Sequence, residues 1–125
     1  MDSEFDAAFA QIAAQGADAL FVGDSPFFMS RRDPIAGLAE QYHLPATYEF
    51  REFALAGGLM SYGSRLIDLY HFGVYAGQVI KGVKPAELPV VRPTKFELVF
   101  NLKTAKTLGL DIPPTLLARA DVVIE

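Results

Sequence analysis

The chain has 125 residues, 51% of them hydrophobic, and a net charge of −4; that suits one domain with ample material for a core. Its lysines and arginines are scattered, so it lacks the basic patch that a nucleic-acid face requires. It has no cysteine, which excludes disulfide scaffolds, thiol catalysis and Cys-based zinc sites, and no apolar run long enough to span a bilayer.

The N-terminus, MDSEFD, is acidic and lacks a basic segment followed by an apolar one, so no signal peptide is written there. As it stands, the chain is expected in the cytoplasm. Ser3 and Asp6 resemble a capping box, and Phe5, Phe9, Ile12 and Ala13 fall at helical spacing. A helix is therefore predicted from Glu4 to Gln15, stopped by Gly16. Ala19 to Val22 is a short continuous apolar run, the pattern of a parallel strand buried on both faces.

Gly23-Asp24-Ser25-Pro26 ends that strand and puts a carboxylate and a hydroxyl at its carboxyl end, where open α/β sheets bind ligands. The same residues also satisfy a simple turn ahead of a helix, with Phe27 and Phe28 in the core. Ser30, Asp33 and Pro34 then open a second helix, with Ile35, Leu38, Ala39 and Tyr42 as its buried stripe. Arg31 and Arg32 stand at its start, where positive charge opposes the helix dipole. His43 falls just past the last apolar position and reads as a C-terminal residue. A second strand, Ala46 to Phe50, follows at the distance of one βαβ unit, so the two strands are expected to be parallel neighbours.

The stretch ALAGGLMSYG, Ala54 to Gly63, is where the reading turns. The connection from Phe50 to Leu59 is too short for a standard crossover helix, although Arg51 to Leu55 allows a turn or two. Leu59 to Tyr62 is therefore expected in a different sheet, reached by a hop between two lobes, with an antiparallel place in the same sheet as the competing account. Ser64 reads as the N-cap of the longest helix, which runs to Lys81 and stops at Gly82. Gly73 and Gly77 on it predict tight packing against a neighbour, and His71 is expected on its polar flank. Lys84 to Thr94 holds three prolines and is an extended connection. Phe96 to Asn101 is a strand, Thr104 to Gly109 a short helix, Pro113 to Ala118 a last helical turn, and Val122 to Ile124 an apolar tail.

Hydrolase chemistry finds no support in this pattern. There is no Gly-x-Ser-x-Gly elbow, phosphate loop or dinucleotide fingerprint, and His43 and His71 form no metal motif. Glu49 and Glu52 are a carboxylate pair of the solvated kind. No catalytic residue, metal or cofactor is expected. What remains are polar and aromatic groups at successive strand ends, Asp24, Ser25, Tyr48, Arg51, Ser61 and Tyr62, the make-up of a small-molecule cleft.

The blocks GADALFV, SPFF with its following SRR, LPATYEFREF, GGLMSYG, KGVKPAELPV and PTKFELVFNLKTAKTLGLDIPPTLLARADVVIE resemble the C-terminal part of ABC-transporter substrate-binding proteins of the tryptophan/tyrosine uptake type. The resemblance covers nearly the whole chain. It implies an α/β fold, a mainly parallel sheet flanked by helices, equivalent to the second lobe plus return segment of a type I periplasmic binding protein. Residues 1–53 would form the second-lobe βαβ unit, 54–83 the return to the first lobe, and 84–125 the crossover strand and C-terminal helices. The resemblance also implies a periplasmic protein that serves an ABC permease and binds a small solute, an amino acid or aromatic acid, without catalysis. Asp24, Ser25, Ser61 and Tyr62 would line the cleft, with Tyr48 and Arg51 near the hinge. Family members carry a leader and a first lobe ahead of the matching region. A chain without them is alternatively expected to associate with itself through exposed strand edges and to bind no solute.

Overall fold

The computed structural model describes residues 2–90 and 95–125, apart from the side chains of Asp2 and His71. The elements in chain order are α1 (Asp2–Ala14), β1 (Leu20–Val22), α2 (Pro26–Ser30), α3 (Arg32–Gln41), β2 (Ala46–Tyr48), α4 (Arg51–Leu55), β3 (Met60–Gly63), α5 (Leu66–Ile80), a 3₁₀ turn (Pro85–Glu87), β4 (Glu97–Asn101), α6 (Leu102–Thr107), α7 (Pro114–Leu117) and β5 (Val122–Ile124). The last part of the predicted extended connection, 91–94, lies outside the described residues, as does the side chain of His71.

One sheet holds all five strands in sequence order, β1-β2-β3-β4-β5. The first three are parallel, β4 runs antiparallel to β3, and β5 is parallel to β4. The mainly parallel sheet with flanking helices is the expected fold class, and the β1–β2 pair is the expected parallel one.

The register lines up Val22, Tyr48, Ser61, Val99 and Val122 across one face, because residues paired across strands share a face. That face carries the core: Val22, Ala46 and Tyr48 pack with Phe9 of α1, with Ile35, Leu38 and Ala39 of α3, and with Phe53 of α4. The predicted stripe of the second helix is therefore real, with Tyr42 half-buried at its end. On the opposite face Phe21 is 68% exposed, so β1 is not the doubly buried strand its apolar run suggested.

The expectation of a second sheet is corrected. β3 pairs directly with β2, Thr47 opposite Met60 and Tyr48 opposite Ser61. β2 ends at Tyr48, earlier than predicted, which lengthens the connection to residues 49–59 and makes room for α4. Phe53 and Ala54 of α4 are buried. The return to the sheet is tight: Gly57 adopts φ 107°, and a Cβ on Gly58 would stand 2.6 Å from the Tyr48 ring. One on Gly63 would run into the backbone oxygen of Glu49. Glycine is therefore required where the chain comes in beside β2 and where it leaves.

Three helix starts also differ. α1 begins before Ser3 and α3 is capped by Arg31, so neither predicted capping box forms. Ser30 instead donates its hydroxyl to the Phe27 carbonyl at 2.7 Å. α5 begins after Arg65 rather than Ser64; its first turn is held by a two-pronged Arg65–Asp68 pair, 3.0 Å at each contact.

The C-terminal third is fastened by Asn101. Its Nδ2 donates to the Ala54 carbonyl at 3.0 Å, and its Oδ1 accepts the Thr104 N–H at 3.1 Å as the N-cap of α6. Thr104 in turn donates its hydroxyl to the Gly57 carbonyl at 2.8 Å. Replacing Asn101 with Ala leaves a buried carbonyl and a helix N–H unpaired, so Asn101→Ala is expected to lower unfolding free energy by roughly 2–4 kcal/mol. The urea midpoint with unchanged slope is the measurement.

Candidate functional site

In a sheet with this topology the carboxyl ends of β1, β2 and β3 lie along one edge, the position where open α/β sheets place ligands. Gly23 to Ser25 follow β1, Glu49 to Arg51 follow β2, and Ser64 and Arg65 follow β3. Because β4 is antiparallel to β3, the start of β4 arrives at that same edge, and β5 brings Asp121 with it. Arg65, Lys95, Phe96, Glu97 and Asp121 line an open cleft there of about 460 Å³.

The cleft has two cations, two carboxylates and one ring, and most of them are held in place. Arg65 is fixed by Asp68, whose hydrogen bonds and charge raise the guanidinium pKa further. Glu97 is paired with Arg51 at 3.1 Å. Asp121 Oδ2 accepts the Leu98 N–H at 2.8 Å, while the Asp121 N–H donates to the Leu98 carbonyl at the same distance. The Phe96 ring stacks on Tyr62, centroids 5.8 Å apart and planes at 24°. Opposite fixed charges beside an aromatic platform suit a small polar solute carrying a flat apolar part. None of the five lining residues is a serine, threonine, cysteine or histidine. Among the described residues no three His, Asp or Glu side chains come together as metal ligands.

The six sequence-predicted residues fall into three places. Asp24 and Ser25 stand at the ligand edge after β1, Asp24 exposed and Ser25 at the N-cap of α2. Arg51 and Tyr62 reach the cleft indirectly, Arg51 through Glu97 and Tyr62 through Phe96; Tyr62 is 58% exposed. Tyr48 and Ser61 are neighbours in the core, 0% and 1% exposed, on the face opposite Tyr62. The Tyr48 ring stacks on Phe53 at 4.6 Å. The lining residues Lys95, Phe96, Glu97 and Asp121 were not singled out from the sequence. Only the antiparallel return of β4 carries them to this edge, and a proline-rich approach to a strand gives no sign of it.

Among solved structures, a conserved domain protein from Vibrio cholerae O1 biovar El Tor is 25% identical with a TM-score of 0.80, covering 98% of this chain and 41% of that one. An ABC domain in complex with L-Trp from Streptococcus pneumonia is 27% identical with a TM-score of 0.83, covering 98% and 43%. The ligand-free, open structure of CD0873, a substrate binding protein with adhesive properties from Clostridium difficile, shares the fold at 18% identity and a TM-score of 0.68, covering 99% and 41%. The chain thus spans less than half the length of each of these three proteins. No curated protein matches the sequence. Residues 3–124 match the family model described as ABC transporter substrate binding protein.

The Tyr48 hydroxyl is buried and has no hydrogen-bond partner among the described residues. Burial pushes its pKa up from 10.0 to about 12. The unfolded chain ionises this phenol above its ordinary pKa while the folded chain holds it neutral, so stability falls as pH rises from 10.0 to about 12. Tyr48→Phe keeps the stack and removes the unpaired hydroxyl. It is expected to gain about 1 kcal/mol near neutral pH and to flatten the alkaline loss of stability, both read from urea unfolding at a series of pH values.

Proposed function

The chain belongs to the ABC transporter substrate-binding protein family, and from that premise we propose that it forms part of the solute-binding component of an ABC importer. Members of this family capture solutes for transport and do not transform them. The observation that carries the reading is the cleft at the carboxyl edge of β1 to β3, where Arg65, Lys95, Glu97 and Asp121 set fixed charges around Phe96.

The solute that fits this chemistry is a small zwitterion or acid with a flat side chain. The streptococcal relative holds L-Trp, which makes aromatic amino acids the first candidates. In this reading a carboxylate meets Lys95 and Arg65, an amine meets Glu97 or Asp121, and the ring lies by Phe96 and Tyr62. Asp24, Ser25 and Arg51 complete the edge, Arg51 by holding Glu97. Tyr48 and Ser61 act from beneath, setting where β2 and β3 end. The family also supports an extracytoplasmic place of work and an ABC permease as the receiving partner.

Titration calorimetry with L-tryptophan and L-tyrosine tests the reading. A saturable heat is expected, weakened about tenfold or more by Tyr62→Ala and by Lys95→Ala. Both substitutions are at exposed positions, so circular dichroism of the variants should match the parent. No heat from either solute, or heat indifferent to both substitutions, defeats it.

A further inference from the structure

The cleft offers the amine of a solute two acids, Glu97 and Asp121, and the sheet sends them to opposite faces. Glu97 pairs with Gly63 of β3, two residues beyond Ser61, so it shares the core face with Ser61 and Val99. There its side chain is 13% exposed and pairs with Arg51 of α4 at 3.1 Å. Its charge also reaches a second guanidinium: Arg65, whose pKa is raised chiefly by the hydrogen-bonded Asp68, is raised further by Glu97. A carboxylate set between two guanidiniums keeps little attraction for an ammonium group, which would have to displace one of them.

Asp121 lies on the other face. It precedes Val122, which pairs with Val99, so strand alternation turns it to the face that carries the paired residues Tyr62 and Leu98. That is also the face of the aromatic platform, since the Phe96 ring stacks on Tyr62 with centroids 5.8 Å apart. The Asp121 side chain is held by the neighbouring strand: its Oδ2 accepts the Leu98 N–H at 2.8 Å, and its own N–H donates to the Leu98 carbonyl at 2.8 Å. The donor that anchors it is neutral, and among the described residues it has no ion pair. Asp121 thus keeps its full charge and a second oxygen beside the rings.

We infer that Asp121 selects for an α-amino group, so that the cleft takes zwitterionic aromatic amino acids in preference to the corresponding acids. This rests on the solute-binding reading above and decides between the two acids that reading leaves open. A solute whose ring lies by Phe96 and Tyr62 has Asp121 on its own side of the sheet and Glu97 behind it. Its ammonium donates to the Asp121 oxygen that Leu98 does not hold, a charge-assisted hydrogen bond, while its carboxylate turns to Lys95. An acid without the amine brings its negative charge near Asp121 with nothing to offset the repulsion. Glu97 acts by holding Arg51 and facing Arg65, and does not touch the amine.

Calorimetry with L-tryptophan and indole-3-propionate, which share ring and carboxylate and differ in the amine, tests the assignment. The parent chain is expected to bind tryptophan about tenfold or more tighter. Asp121→Asn keeps an oxygen for the Leu98 N–H and removes the charge. It should weaken tryptophan by about tenfold and leave indole-3-propionate as tight or tighter, closing the gap, whereas a purely structural loss weakens both alike. Glu97→Gln should move the two affinities together and keep their ratio. Should Asp121→Asn lose its circular dichroism, Asp121→Ser, which also offers an oxygen to that N–H, takes its place. Equal affinity of the parent for the two ligands overturns the assignment alone, as does a gap that Glu97→Gln closes and Asp121→Asn keeps. No heat from either ligand defeats the solute reading, and the assignment with it.

Discussion

The packing of one ring, Tyr48, sets the geometry of everything after it. The ring stacks on Phe53 and lies close against Gly58, so β2, α4 and the entry to β3 are built around a single aromatic plate. A stacked aromatic pair contributes roughly 0.5–1.5 kcal/mol beyond its buried area, and that helps to hold a crossover shorter than parallel strands normally use. The same packing leaves the phenol oxygen in the core without a partner. The aromatic contact and the register of β3 outweigh that polar cost. A phenylalanine would pack equally well, so the hydroxyl is not what makes this crossover work.

Once β3 is seated beside β2, the antiparallel return of β4 decides the electrostatics. It puts Glu97 opposite Gly63 and within reach of Arg51, and it sets Phe96 against Tyr62. Residues far apart in sequence, Arg51, Arg65, Glu97 and Asp121, thereby become one constellation at the edge where β1 to β3 end. Arg51 and Arg65 are each about a third exposed to solvent, so their ion pairs contribute little to stability. Their effect is to fix the direction of charges that face the cleft. Asn101 closes the arrangement from inside, tying β4 to α4 and starting α6 with one side chain.

The two ends of the molecule differ in how well they are covered. α1, α3 and α4 bury one face of the sheet around Phe9, Ile35, Leu38 and Phe53, a conventional α/β packing. The opposite face leaves Phe21 and Tyr62 in solvent, and α5 keeps Ile67, Tyr70, Phe72, Val74, Val79 and Ile80 exposed, with Leu66 and Leu69 half-buried. Surface of that kind raises the free energy of the isolated chain by about 25 cal/mol for each Å² of apolar area.

The sequence by itself determined the local elements and the fold class. Apolar spacing placed α1, α3, β1, β2 and β4 within a few residues, because the period of a helix or strand is a property of neighbouring residues. The β1–β2 pairing followed from the length of one βαβ unit. The family resemblance agreed with the fold and with the family whose model matches residues 3–124. Tertiary structure alone decided that Leu59 to Tyr62 joins the same sheet, that Tyr48 and Ser61 face inward while Tyr62 faces out, and that Lys95, Phe96, Glu97 and Asp121 form the cleft. Alternation within a strand fixes that neighbours face opposite ways, but not which way is inward. That choice belongs to the strands and helices packed on either side, and here a buried ring and two glycines made it.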